Sequence, residues 1–319
     1  MQEKEYLQIL RKVASQYKIE VCTLKDNTLI HLQKDVYQKF IYGYQFELNS
    51  DSVATICKDK GAISIILDFH QIPHIEHRMF SRPSLGALTT DSLWLSIQDF
   101  AQKYHFDVVC KPNHGFSGKD VYHTRYLREL EEVVHKLLSI YSEFCISPFY
   151  SVEFEYRVIV LNGQTELIYC KKRHTLIGDG HSSVRILLLN YISSLSTQDV
   201  SKFFKDFDYS ILTSDRVLAS GEKFSLKWKH NLSYGATASL DPIDQEKEKQ
   251  INALALRTVR ALNLSFASID IFEVDGEFKV LEAHTAVAMD TFIQHYGEAG
   301  YQIAKEIYDK VIRQMFNIN

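Results

Sequence analysis

Two apolar strands joined by one tight turn constrain this chain more than any other segment. The text is ASIDIFEVDGEFKVLEAH, with Asp275-Gly276 at the turn. Asp-Gly between alternating β-branched and aromatic residues is a hairpin signal, because both positions of a two-residue type I′ loop need positive φ. An acid interrupts each apolar run: Asp270 within SIDIF and Glu282 within VLEA. A buried carboxylate needs a cation or hydrogen bonds. Two facing carboxylates attract a hard divalent ion such as Mg²⁺, which also takes phosphate oxygens. The plain alternative is two edge-strand acids in water, and the apolar flanks weigh against it.

A second segment, VVCKPNHGFSG, places Lys111 at a strand end ahead of Gly115 and Gly118. Glycines let backbone N–H groups approach a phosphate closely, and the lysine adds charge beneath it. The GxxxxGK[ST] spacing of a P-loop is absent. Taken alone, the segment reads equally well as a β-turn with a solvated lysine. In KWKHNLSYGATAS, Lys227, Lys229, Asn231 and Ser233 could line an anion site, and an ordinary loop reads as well.

The rest of the sequence reads as α+β or α/β with mostly antiparallel sheets. Helical spacing covers residues 4–17. Strands follow at IEVCTL, TLIHLQ and VYQKFIYG. One helix is expected from about Asp51 to Phe69, capped by Asp51 or Ser52. Another is expected within 86–104, then the strand FDVVCKP and the helix LRELEEVVHKLLSIY. Three strands follow, EFCISPF, FEYRVIVLNG and QTELIYCKK, the last two joined by a hairpin turn at VLNGQ. Residues 197–215 read as a loop with short helices and KFSLKWK as a strand. DQEKEKQINALALRTVRAL reads as a long helix, and a helix over 297–316 closes the chain.

The chain has 319 residues, 45% of them hydrophobic, enough for more than one lobe. A net charge of -4 offers no basic field for nucleic acid. The five cysteines form no CxxC pair and read as buried free thiols in a reducing compartment. MQEKEYLQILRK has no apolar signal core, and no run of about 18 apolar residues occurs. The expectation is a cytoplasmic protein with no membrane partner. His70, His74 and His77 are close in sequence, but Ile72-Pro73 keeps them off one helix face, so no metal site is expected there.

In order, these pieces resemble the ATP-grasp superfamily, most closely the ATP-grasp part of cyanophycin synthetases and bifunctional glutathione synthetases. The resemblance runs over roughly residues 25–310. Asp59-Lys60 falls at the family's "DK" position, so the resemblance puts its first ATP lysine on Lys60 and its second on Lys111. The family's glycine loop falls on Gly115 through Gly118, with Ser117 facing phosphate. The nucleotide hinge falls on 145–151, including Phe149 and Ser151. The ribose-contacting acid of an "E-[YF]-R-V" strand falls on Glu155. KKRHTLIGDG matches a basic segment and puts Lys171 near the phosphates. LKWKHNLSYGA matches the "NLS" loop, with Lys227, Asn231 and Ser233. The metal triplet falls on Asp270, Glu282 and His284.

The resemblance implies an ATP-grasp fold: two antiparallel-sheet lobes clamping ATP, with a shortened N-terminal lobe. The expected division is 1–80 for that lobe with the DK helix, 81–146 for a lid subdomain, and 147–319 for a C-terminal subdomain with the metal site. It also implies a carboxylate–amine ligase that uses ATP and Mg²⁺, with Mn²⁺ able to stand in. A carboxylate would be phosphorylated and then attacked by an amine. Small-molecule or peptide carboxylates and amines are the implied substrates, and a homodimer is left open as the assembly. Departures bear on activity. His284 stands where the family has Asn, and imidazole suits softer metals. Asp120 and Ala236 stand for glycines, and AVAM stands for Pro-Gly after the triplet. Two alternatives follow from them: a degenerate nucleotide-binding scaffold or sensor, and a kinase-like member that transfers phosphate without ligation.

Overall fold

A computed structural model describes residues 4–83, 90–115, 118–196, 200–201, 203–205 and 207–318. The order of elements is α1 (Glu5–Gln16), β1 (Glu20–Leu24), β2 (Leu29–Lys34), β3 (Tyr37–Tyr42), β4 (Gln45–Phe46), α2 (Asp51–Ile56), α3 (Lys60–Phe69) and β5 (Arg78–Ser81). Then come α4 (Thr90–Gln102), β6 (Val108–Pro112), β7 (Tyr122–Thr124), α5 (Leu127–Ile140), β8 (Glu143–Pro148), β9 (Phe154–Leu161), β10 (Gln164–Lys172), β11 (Thr175–Ile177) and α6 (Val184–Ser193). The chain ends with β12 (Lys223–Ser225), β13 (Thr237–Ser239), α7 (Gln245–Ala261), β14 (Phe266–Val274), β15 (Glu277–His284) and α8 (Asp290–Met315). Among the described residues, no helix is long and apolar enough to cross a membrane.

The chain divides into two compact units. The first comprises residues 1–152, 156–168 and 242–319. Within it, β1 to β4 form an antiparallel meander whose inner face buries Ile30, Leu32 and Ile41. Helix α1 turns Leu7, Leu10 and Val13 inward and packs on α8. A second sheet, in the order β5-β8-β6-β7, is covered by α4 and α5. Phe80, Phe100, Val108, Leu130 and Phe144 fill the space between them. A third sheet has β9, β14 and β15 in that order. Residues 73–75 zip along the outer edge of β15: Ile75 N–H donates to Val280 O at 2.8 Å and Val280 N–H to Pro73 O at 2.9 Å. The second unit comprises residues 153–155 and 169–241. In it, the end of β10 pairs with β13, β11 pairs with β12, and Leu176, Val184, Leu188, Phe203 and Leu218 form the core.

Both expected hairpin turns form. Asp275 and Gly276 have φ of 51° and 81°, and Asn162 and Gly163 have 50° and 71°. The single helix expected over 51–69 is two helices. Asp59 Oδ1 accepts the Ala62 N–H at 2.8 Å, so a second cap restarts the helix there. The first helix is capped by Ser50 Oγ, which accepts from Val53 N–H at 3.3 Å, and not by Asp51 or Ser52. The expected strand KFSLKWK forms only over Lys223–Ser225. The last helix begins at Asp290 rather than 297, and Gly297 breaks it with φ 53° and ψ -130°. Helix α6, absent from the sequence reading, starts where Ser183 Oγ accepts the Ile186 N–H at 3.4 Å. The helix expected over 86–104 is seen as Thr90–Gln102; residues 86–89 lie outside the described ones. Of the cysteines, Cys22 is exposed rather than buried; the other four are buried, and all are free thiols.

Candidate functional site

The hairpin of β14 and β15 puts Asp270, Glu282 and His284 on one face. Asp270 stands directly opposite Glu282, and Ser268 opposite His284. Residues two apart share a face of a strand, so Glu282 and His284 point the same way as Asp270. The ladder slips by one residue immediately after Asp270. Such a bulge bends the strand and re-aims side chains. His284 Nε2 lies 3.3 Å from Asp270 Oδ2 and 3.5 Å from Glu282 Oε2, so the three predicted metal residues come together.

Both carboxylates already have cations. Arg157 on β9 grips Asp270 with two parallel bonds: Nε to Oδ1 and Nη2 to Oδ2, each 2.7 Å. This is the strong bidentate geometry of guanidinium with carboxylate. Lys111 Nζ donates to Glu282 Oε1 at 2.6 Å. Burial alone would raise the Glu282 pKa. Lys111, then Lys60 and His284, outweigh it and hold this carboxyl well below the usual range.

Lys60, the first residue of α3, is buried. Its ammonium donates to Asn113 O at 3.1 Å and Gly115 O at 2.8 Å. Desolvation lowers its pKa, opposed by Glu282. Lys60 therefore pins the start of the glycine loop from below. Gly115 N–H donates to Pro112 O at 3.3 Å, and a Cβ on Gly115 would press on Pro112. Gly118 has φ 72°, where a side chain is disfavoured. Ser117 lies outside the described residues. Phe149 stacks on His123 with ring centroids 3.7 Å apart, and its N–H donates to Asp107 O at 3.0 Å. Ser151 is exposed.

In the second unit, Glu155 and Lys171 form a buried ion pair, with His230 Nδ1 3.9 Å from Glu155. Burial, then the Arg173 charge, pushes His230 down to about 3, so it stands neutral at neutral pH. Lys227 Nζ donates to Lys205 O at 2.6 Å and Tyr234 O at 2.9 Å, over the Phe203 ring. The Asn231 carbonyl closes the turn after it, accepting from Tyr234 N–H at 2.9 Å, and Ser233 is exposed. Thus the first unit holds Lys60, Lys111, Gly115, Gly118, Phe149, Ser151, Asp270, Glu282 and His284. The second holds Glu155, Lys171, Lys227, Asn231 and Ser233.

Several residues of these clusters were not singled out from the sequence. Arg157 was legible in part, two residues beyond Glu155 in the same strand. His77 was dismissed with its neighbours, yet it is buried with Nε2 unpartnered. Burial, then Lys111, drives its pKa well down, so it is a neutral imidazole near Lys111, Glu282 and Lys60. Asn113 is fully buried and accepts from Gly61 N–H (3.2 Å) and Cys145 Sγ (3.0 Å) through Oδ1. No sequence spacing announces a contact 52 residues away.

Solved structures with the same fold exist. The D-alanine–D-alanine ligase of Bacillus anthracis is 17% identical, with a TM-score of 0.52 over 84% of this chain and 71% of that one. The same enzyme complexed with ATP gives 16% identity and a TM-score of 0.51 over 84% of this chain and 70% of that one. A bifunctional glutathione synthetase from Pasteurella multocida gives 16% identity and a TM-score of 0.54, over 98% of this chain but only 44% of that one. The chain has the ATP-grasp fold. At these identities the likeness is one of fold. No protein-family model and no curated protein matches the chain.

Proposed function

We propose that this chain is an ATP-dependent carboxylate–amine ligase. The observation that carries the reading is the meeting of Asp270, Glu282 and His284 on one face of the hairpin, with Lys111 bonded to Glu282, in an ATP-grasp fold. The neighbours support it as ligases, one of them solved with ATP.

The donors fit a divalent ion that arrives with a nucleotide. Arg157 and Lys111 already balance the two carboxylate charges, so an ion held by protein alone would gain little. Mg²⁺ keeps waters and phosphate oxygens in its shell, and carboxylates have lone pairs to spare. Asp270 and Glu282, with His284 beside them, would hold Mg²⁺ or Mn²⁺, which would spread charge on the transferring phosphoryl group. Lys60 and Lys111 would hold phosphates, with backbone N–H groups of the loop at Gly115 and Gly118. Phe149 and Ser151 take the hinge role that the resemblance implies. In the second unit, Glu155 and Lys171 take the nucleotide role, and Lys227, Asn231 and Ser233 the phosphoryl role.

The reaction would break the bond between the γ-phosphorus and its bridging oxygen, releasing ADP, and join phosphorus to a substrate carboxylate oxygen. An amine nitrogen would then attack the acyl carbon. Phosphate would leave with that oxygen, and the nitrogen would lose a proton to form the amide. Such chemistry needs positioning and charge rather than a protein nucleophile. A second reading, a nucleotide-binding scaffold without turnover, draws on the compensated carboxylates and on Lys227 lying against two backbone carbonyls. A screen of amino acids and short peptides in pairs separates the two. Ligation predicts ADP release that requires both a carboxylate and an amine, and hydroxylamine should trap the acyl phosphate. No carboxylate-dependent ADP across the panel, with Mg-ATP still raising the melting temperature, sinks the ligase reading.

A further inference from the structure

A second cluster of metal-binding groups lies at the mouth of the glycine loop; the resemblance touches it only at Asp59 of the "DK" pair and gives no role to that acid, to His114 or to Glu143. Asp59, His114 and Glu143 each present a ligand atom, and these atoms lie within 4.8 Å of one another. The three come from separate places: the N-cap of α3, the exit of β6 and the first residue of β8. His114 Nε2 is 3.1 Å from Glu143 Oε2. Ligands on a tetrahedral Zn²⁺, each about 2.0–2.2 Å from the ion, stand roughly 3.3–3.6 Å apart. One edge of the tetrahedron is therefore nearly in place, and the third ligand atom lies within 4.8 Å of the other two.

Charge points the same way. Among the described residues, neither Asp59 nor Glu143 forms an ion pair with any Lys or Arg; the sole ion-pair partner of Glu143 is His114. Lys60, next in the chain to Asp59, turns its ammonium to the carbonyls of Asn113 and Gly115 instead. The hairpin acids differ, because Arg157 and Lys111 cover them. Two carboxylates that no lysine or arginine bonds directly, beside an imidazole, form an anionic cluster that a divalent ion suits. The acids are also held in place. Asp59 is fixed by its cap bond to Ala62 N–H, and the buried amide of Asn113 donates to Glu143 Oε2 at 3.2 Å. Outer partners of this kind orient metal ligands and raise affinity. One imidazole with two carboxylates suits Zn²⁺, and Mg²⁺ poorly.

We propose that Asp59, His114 and Glu143 bind one Zn²⁺ ion, with water in the open position, and that this ion ties the start of α3 to the two strands beside the glycine loop. The inference does not depend on the ligase reading, and its test uses no nucleotide. Full-length untagged protein is stripped with chelator and titrated with Zn²⁺ by calorimetry and with Co²⁺ by visible absorption. Both titrations are run in the His284→Ala background, which removes the imidazole of the hairpin cluster. The expected result is one ion per chain and a tetrahedral Co²⁺ spectrum. Adding His114→Ala should weaken binding at least about 100-fold and abolish the spectrum. His114 is exposed, so that variant keeps its fold; Glu143→Gln preserves the acceptor for Asn113 and should weaken binding about 10-fold or more. Failure of the His284→Ala protein to bind Zn²⁺, or equal binding after His114→Ala, overturns the proposal.

Discussion

At the scale of single residues, Arg157 and Lys111 decide what the hairpin acids can do. Asp270 is almost wholly buried, with a side-chain exposure of 5%, and Arg157 takes both of its oxygens. Removing one partner of a buried pair strands the other charge and costs about 3–5 kcal/mol, far more than the pair contributes over an apolar replacement. Arg157→Met should therefore lower the unfolding free energy measured by chemical denaturation by about that amount. Adding Asp270→Asn should recover part of the loss, since a neutral amide tolerates burial better. A single Arg157→Met variant as stable as the wild type would contradict this account. Asp270 and Glu282 were legible because each breaks an apolar run. Arg157 was not read because an arginine in a strand is ordinary until a carboxylate is seen opposite it. His77 was missed for a similar reason: burial of a histidine depends on the sheet edge that 73–75 completes, which lies some 200 residues further on.

At the scale of elements, local chemistry made some boundaries readable and hid others. The two hairpin turns were readable because Asp-Gly and Asn-Gly carry positive φ at low cost. Helix α7 was readable because acids fill its first turn and apolar residues repeat along one side. The break between α2 and α3 was hidden, because Asp59 sits inside an unbroken helical pattern and caps from within it. The start of α8 was hidden because Met289 offers no side-chain cap. Gly297 then breaks this helix in a conformation, φ 53° and ψ -130°, that side chains scarcely adopt. A Cβ there would meet no neighbour within 4 Å, so the cost of substitution is backbone strain alone. Gly297→Ala should cost about 1–3 kcal/mol in thermal or chemical unfolding. A neutral or stabilising effect would mean that the two halves of α8 run straight.

At the scale of the whole molecule, each unit buries one neutral histidine. His77 lies in the first and His230 in the second, and burial lowers both pKa values. The sign follows from proton counting. Between the unfolded value near 6.5 and the lowered folded value, the unfolded chain binds more protons, so stability rises with pH. For His230 the loss runs from about pH 6.5 down toward about 3. Each such histidine contributes a slope of up to about 1.4 kcal/mol per pH unit. The melting temperature should fall from pH 7 to pH 5, and His230→Gln should flatten the fall. A melting curve independent of pH over that range would contradict the burial of both rings. The fold as a whole was legible because several modest motifs occur in one order. The second unit was less so: its core helix α6 lies in a segment read only for its basic and glycine residues. The central claim concerns the first unit, where Lys60, Lys111, Asp270 and Glu282 are read as the nucleotide-metal cluster. Calorimetric titration of ATP, with and without Mg²⁺, into wild type and Glu282→Gln tests it most directly. The account predicts one ATP per chain, binding that tightens with Mg²⁺, and a loss of that Mg²⁺ dependence in Glu282→Gln. No binding by the wild type, or identical Mg²⁺ dependence in the two proteins, would contradict it.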